Sequence, residues 1–321
     1  MNIAVIFLAL IAAWALISLP FTPREVIDSV LYASLLVLAS IGLTLTYQTT
    51  KVPNFAHGVF LNLGVMSALT IAQVYKTAAY YALPLAVVLG ALAALLLYLF
   101  LIPLYRRGVS QEVMMMATMA YNIVYIGILN AFADWAGRTW GIFTRGITII
   151  PYDVNLAGLR GVYIFAPATA AAITLVLYIF LNRTKPGTAL RAAVENEDLA
   201  RSLGIDVEKM YAVAWILAGA VAGMAGVFLP LYIEATPEVG WLMLASFFAA
   251  SIVGGLSSIY GAVVGGVLMG FVEVLGTFQF AMFLNWLLGV PPYVITAYRP
   301  LVPLLAIAIA LIIAPRGILG R

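Results

Sequence analysis

The chain has 321 residues, of which 64% are hydrophobic and 9% charged, with a formal net charge of +3 and a mean hydropathy of +1.09. Soluble domains carry about 25% charged residues, so this composition excludes a soluble globular protein and identifies an integral membrane protein. With no cysteine and one histidine, disulfides, thiolate chemistry and multi-His metal sites are excluded as well, and no cofactor is expected.

A hydrocarbon core of about 30 Å takes roughly 20 apolar residues per helix. Read that way, the apolar runs place spans near 3–20, 26–47, 54–73, 79–104, 112–133, 163–182, 209–231, 240–256, 258–276 and 294–314. The first run lacks the positive n-region and cleavage site of a signal peptide and is read as a span. The Gly-rich pair 240–256 and 258–276 also fits a broken or partly inserted hairpin. No alternating strand pattern points to a barrel. The expected fold is therefore all-α, a polytopic transmembrane helical bundle of about 8–10 spans, forming a single domain over 1–321.

Charge orients it. Lys51, Arg106, Arg107, Arg183, Lys185, Arg191, Arg201, Lys209, Arg316 and Arg321 fall on one side. Arg24, Lys76, Arg138, Arg145, Arg160 and Arg299 fall on the other. The positive-inside rule places both termini in the cytoplasm.

Near residues 47–58 a polar turn precedes Pro53 and breaks the helix. Asn54 and His57 are three apart and share a side, with Asn62 about 80° further round. Two readings fit these residues: interhelical hydrogen-bonding glue, or part of a solute path or its gate. The outward stretch of about 134–162 carries Trp135, Trp140, Phe143 and Tyr152 among mixed charges.

The inward stretch 183–209 is the most charged part of the chain. Pro186 and Gly187 end a span, Thr188 is a possible N-cap, and Gly204–Ile205 fits a Schellman stop. Between them the spacing predicts about 16 helical residues, roughly 24 Å long, with Ala189, Ala192, Ala193, Leu199, Ala200 and Leu203 recurring at helical intervals. An interfacial helix, a plain linker and a docking helix for a soluble partner all fit. The alanine-rich face favours docking, because it buries too little area to hold lipid.

Beyond the loop, Ala214, Ala218, Ala222 and Gly226 form a small-residue stripe backed by Gly219 and Gly223. It fits rigid packing and transmission of motion from the loop equally well. Gly266 and Gly270 are spaced as small-xxx-small, and Glu273 lies on the same face, directed inward. A structural hydrogen bond and an ion-coupling site both fit that carboxylate.

No lysine follows a glycine, so the chain contains no Walker A loop, and Gly-x-Ser-x-Gly is absent too. No enzyme activity is expected, and any ATP must be hydrolysed on a separate subunit.

Three blocks now resemble one family: LTYQTTKVPNFAHG, GTALRAAVENEDLARSLGI and SIVGGLSSIYGAVVGG. Their order and spacing are similar to those of LivH-type permease subunits of branched-chain amino-acid ABC importers, with urea and short-amide importers close by. The resemblance implies a second permease subunit (paralogue or self), two cytoplasmic ATPase subunits and an extracytoplasmic substrate-binding protein. Gly187, Arg191, Ala192, Asn196, Ala200, Gly204 and Ile205 match its ATPase-coupling loop, and Asn54, His57 and Gly58 match its early block. Gln48, Pro53, Val59 and Ser257 depart from its usual pattern, which bears on the solute more than on the fold. The expected function is translocation of a branched-chain amino acid or similar small polar solute by alternating access. An ion-coupled transporter using Glu273 is the competing class.

Overall fold

The computed structural model describes residues 23–156, 158–289, 291 and 298–320. The expected span at 3–20 lies outside them. Twelve α-helices follow in chain order among the described residues: α1 (Pro23–Thr50), α2 (His57–Tyr75), α3 (Leu83–Arg106), α4 (Gln111–Trp140), α5 (Val162–Arg183), α6 (Lys185–Glu195), α7 (Glu197–Ser202), α8 (Val207–Phe228), α9 (Val239–Leu242), α10 (Leu244–Gly254), α11 (Ile259–Leu288) and α12 (Leu301–Ile313). A two-residue antiparallel hairpin pairs β1 (Asn155–Leu156) with β2 (Leu159–Arg160). Seven helical segments, built on α1, α2, α3, α4, α5, α8 and α11, are long and apolar enough to cross a membrane.

Two compact units divide the chain. One runs from Ile41 to Leu244; the other combines the chain through Ser40 with everything from Ala245.

In the 41–244 unit, α2 and α8 are inner helices. Close backbone approach explains their glycines. A Cβ on Gly64 would strike the Gly223 carbonyl, one on Gly90 the Gly219 carbonyl, and one on Gly226 the Leu61 carbonyl. Backbone-to-backbone contact of this kind replaces the hydrophobic drive that lipid cannot supply between helices. In contrast, α4 and α5 turn Ile123, Val124, Leu175 and Val176 outward, while Asn54, His57 and Asn62 are buried. Apolar outside and polar inside is the arrangement a bilayer solvates.

In the other unit, α11 lays Gly266 against Val37 and Gly270 against Ala33 of α1. The chain end docks beside α10, with the Ile318 and Leu319 amides bonding the Val253 and Gly254 carbonyls.

Several boundaries differ from the sequence reading. The run 240–256 is two helices interrupted at Met243. Its longer piece, α10, has 11 residues and reaches only about 16 Å, half the hydrocarbon thickness. The run 258–276 continues to Leu288, where Gly289 at φ 67° ends it by donating to the Asn285 carbonyl. The last described helix runs from Leu301, and the expected start at 294 lies outside the described residues. The outward stretch begins later than 134, because α4 extends to Trp140 and stops at Gly141, at φ 64°. Trp135 packs edge-on against Trp140 with ring centroids 4.6 Å apart, which stabilises that extra turn.

Candidate functional site

The helical loop starts with Thr184, not Thr188. The Thr184 hydroxyl accepts the Gly187 amide at 3.1 Å, and Pro186 fits the first turn because an amide there needs no partner. Gly187 is required at this elbow, since a Cβ would strike the Phe180 carbonyl. The expected single 16-residue helix is two helices: Asn196 is extended (φ −151°, ψ 102°) and its side chain caps α7 by accepting the Leu199 amide at 2.9 Å. Asn196 prefers that local bond to continuing the helix. At the far end Gly204 takes φ 80° and the Ile205 amide bonds the Ala200 carbonyl at 3.0 Å.

The break redistributes the apolar residues. Leu190, Ala193 and Ala200 are buried, whereas Leu199 and Leu203 face outward. Arg191 is exposed and donates to Asn182 Oδ1 at 3.1 Å. Ala192 lines an open recess of about 440 Å³ together with Lys185, Thr188, Ala189 and Ile205.

Side chains from α3 and α8 hold this loop and also tie the two helices to each other. Arg106 forms a two-pronged ion pair with Glu208, at 3.0 and 2.5 Å. Tyr105 donates to Glu197 at 2.8 Å, and Arg201 pairs with the same carboxylate at 2.7 Å. Tyr211 donates to the Ala193 carbonyl at 3.1 Å, and Tyr98 to the Glu208 carbonyl at 3.0 Å. Asp206 caps α8 and pairs with Lys209 at 2.8 Å, a contact that holds its carboxyl below the usual range.

The polar helix break lies in the same unit. α1 ends at Thr50, and Lys51 takes the left-handed conformation (φ 55°). Asn54 Oδ1 accepts the Ala56 amide at 3.0 Å, and α2 then begins at His57. The buried His57 ring packs edge-on against Phe60 at 5.5 Å and lies over Gly42, where a Cβ would come within 2.8 Å of its Cε1. Asn62 accepts the Gly240 amide at 2.7 Å. Gly58 is where α2 and the start of α9 cross, since a Cβ there would strike the Gly240 carbonyl. The Nδ2 atoms of Asn54 and Asn62 are buried with no hydrogen-bond partner among the described residues.

Glu273 belongs to the other unit, on α11, and has partners of its own. Tyr32 and Ser246 donate to its Oε2 at 2.9 and 3.1 Å, and Arg299 approaches at 3.8 Å. The Arg299 guanidinium also lies 4.0 Å above the Tyr32 ring centroid, a cation–π contact.

Sequence reasoning missed Tyr98, Tyr105, Arg106, Glu197, Glu208, Tyr211, Trp215 and the Glu273–Arg299 pairing. Only Tyr211 and Trp215 left a local signal, an i,i+4 aromatic pair beside the alanine stripe.

These features define a multi-pass, all-α membrane protein whose inner helices meet a structured helical loop. Residues 26–314 match the family model described as "Branched-chain amino acid transport system / permease component". The chain is 39% identical over 292 residues to a probable branched-chain amino acid transport permease protein LivH of Methanocaldococcus jannaschii, covering 91% of this chain and 90% of that one. It is 26% identical over 310 residues to the high-affinity branched-chain amino acid transport system permease protein LivH of Escherichia coli (strain K12), covering 93% and 95%. The chain belongs to this family of transport permeases.

Proposed function

We propose that this chain is the transmembrane permease subunit of an ABC importer in the cytoplasmic membrane, with both termini inside and the whole chain acting as one permease domain. Its solute is a branched-chain amino acid or a similar small polar molecule, moved by alternating access. Two cytoplasmic ATPase subunits dock on α6 and α7, a second permease subunit completes the pathway, and an extracytoplasmic binding protein delivers solute near residues 141–161. Asn54, His57, Gly58 and Asn62 line the path or its gate.

One observation carries this reading. A loop too polar to span the membrane is nevertheless folded, capped at Thr184, Asn196 and Gly204, and tied to α3 through Glu197 and to α8 through Ala193. Leu199 and Leu203 remain exposed on it, 56% and 71% accessible. A mere connector does not need three caps and two tertiary anchors. The ion-coupled alternative asks Glu273 to exchange a cation, yet that carboxylate already has two hydroxyl donors and a guanidinium.

The test is purification from the native membrane in mild detergent. ATPase subunits accompany the wild-type chain and are lost from Ala192→Glu, which keeps the wild-type melting temperature; Gly204→Trp also loses them, with a lower melt because any side chain is strained at φ 80°. A chain that purifies alone and moves solute in proteoliposomes under an ion gradient overturns the reading.

A further inference from the structure

We propose that Tyr211 and Trp215 are positioning residues that pass displacement of the helical loop to the polar helix break at 51–56. The assignment rests on the importer reading above.

The geometry begins at the loop. Because α6 stops at Asn196, the carbonyls of its last turn have no intrahelical partner. The Tyr211 hydroxyl takes one of them, Ala193, at 3.1 Å. Four residues on, and therefore on the same face of α8, the Trp215 indole N–H donates to Thr49 Oγ1 at 3.0 Å. Thr49 is the penultimate residue of α1, and its own hydroxyl hydrogen goes to the Thr46 carbonyl at 2.8 Å, so its oxygen is oriented to accept.

The same face continues for a further turn. The Ala218 carbonyl and the His57 ring converge on Gly42, within 2.7 and 2.8 Å of where a Cβ would sit. One helix face thus touches the loop at Ala193 and the near side of the break at Thr49, and its Ala218 carbonyl meets Gly42 of α1 beside the His57 ring that begins the far side. Tyr211 and Trp215 are 6% and 1% exposed. Two buried polar handles beside the small-residue stripe of α8 are not needed for packing, which phenylalanine would serve. Each fixes one acceptor at one distance, so α8 cannot shift against the loop without pulling on the end of α1.

The experiment uses the assembled importer in proteoliposomes and measures ATP hydrolysed per solute imported, together with ATPase co-purification and melting temperature. Tyr211→Phe, Trp215→Phe and Thr49→Val keep their ATPase subunits and go on hydrolysing ATP, but import falls and the ratio rises about tenfold, equivalent to about 1.4 kcal/mol of lost coupling. Thr49→Ser, which keeps the acceptor, restores the wild-type ratio. Trp215→Phe combined with Thr49→Val is no worse than either alone, because both remove one bond. An unchanged ratio in the three single variants overturns the proposal, whether or not melting temperature drops, since that pattern assigns the residues to packing. A wild-type complex that imports without hydrolysing ATP retires the importer reading, and this assignment with it.

Discussion

Asn62 accepts the backbone amide of Gly240 at 2.7 Å, tying the second turn of α2 to the start of α9. The first-turn amides of a helix have no partner of their own, and here a buried side chain supplies one. The contact is possible because Gly58, one turn earlier, lets the two backbones approach.

Asn62→Ala leaves the Gly240 amide buried and unpartnered, at a cost of about 1–3 kcal/mol. The melting temperature of the purified variant in detergent falls accordingly. An unchanged melt would mean the amide is satisfied in another way.

Gly226→Ala drives a methyl into the Leu61 carbonyl and within 2.9 Å of Gly64 Cα. Overpacking of this kind costs about 1–3 kcal/mol. Gly127→Ala on α4 meets nothing within 4 Å and gains helix propensity of about 0.5–1 kcal/mol. The two variants therefore shift the melt in opposite directions.

Arg299→Ala strands the Glu273 carboxylate, which is 2% exposed. Removing one partner of a buried pair costs about 3 kcal/mol, so this variant is unstable, and the double variant Arg299→Ala with Glu273→Gln recovers part of the loss. Under the importer reading Glu273→Gln alone retains ATP-driven uptake, measured with radiolabelled solute. Loss of uptake in a folded Glu273→Gln protein would instead favour ion coupling.

Asp206 caps α8 where the helical loop ends, and this cap is acid-sensitive. Lys209 holds its carboxyl below the ordinary value of about 3.9, so the folded state binds fewer protons than the unfolded one. The stabilisation is complete above that ordinary value and is lost as pH falls through the lowered folded value. Protection of the Lys209 amide relative to its intrinsic exchange rate, conferred by Asp206 Oδ1 accepting it at 3.2 Å, is lost over that acidic window. Asp206→Asn removes the pH dependence of the protection and keeps the cap; Asp206→Ala lacks the protection at every pH.

Much of the fold was legible because span detection needs only composition and length. The helix break was legible too, since Pro53 and the polar turn before it are local features. The loop was read in outline and misdrawn in detail. Thr184 outcompetes Thr188 as the cap because its hydroxyl faces the Gly187 amide, and Asn196 divides the helix because its extended backbone is held by a cap of its own. Neither choice alters the residue pattern from which the helix was inferred.

The site was less legible than the fold for a physical reason. Apolar length, helix caps and glycine stops act over a few residues, and the chain order contains all of them. That is why composition and spacing alone determined the membrane class, the seven long spans and the three family blocks. Hydrogen bonds and ion pairs are decided by atoms within about 3 Å, whatever their separation in sequence. Arg106 meets Glu208 across 102 residues, Trp215 meets Thr49 across 166, and Tyr32 meets Glu273 across 241. Only the packed helices chose those partners: burial without them would have left Trp215 and Glu273 uncompensated, and the exposed Arg106–Glu208 pair forms only because α3 and α8 bring the two side chains together.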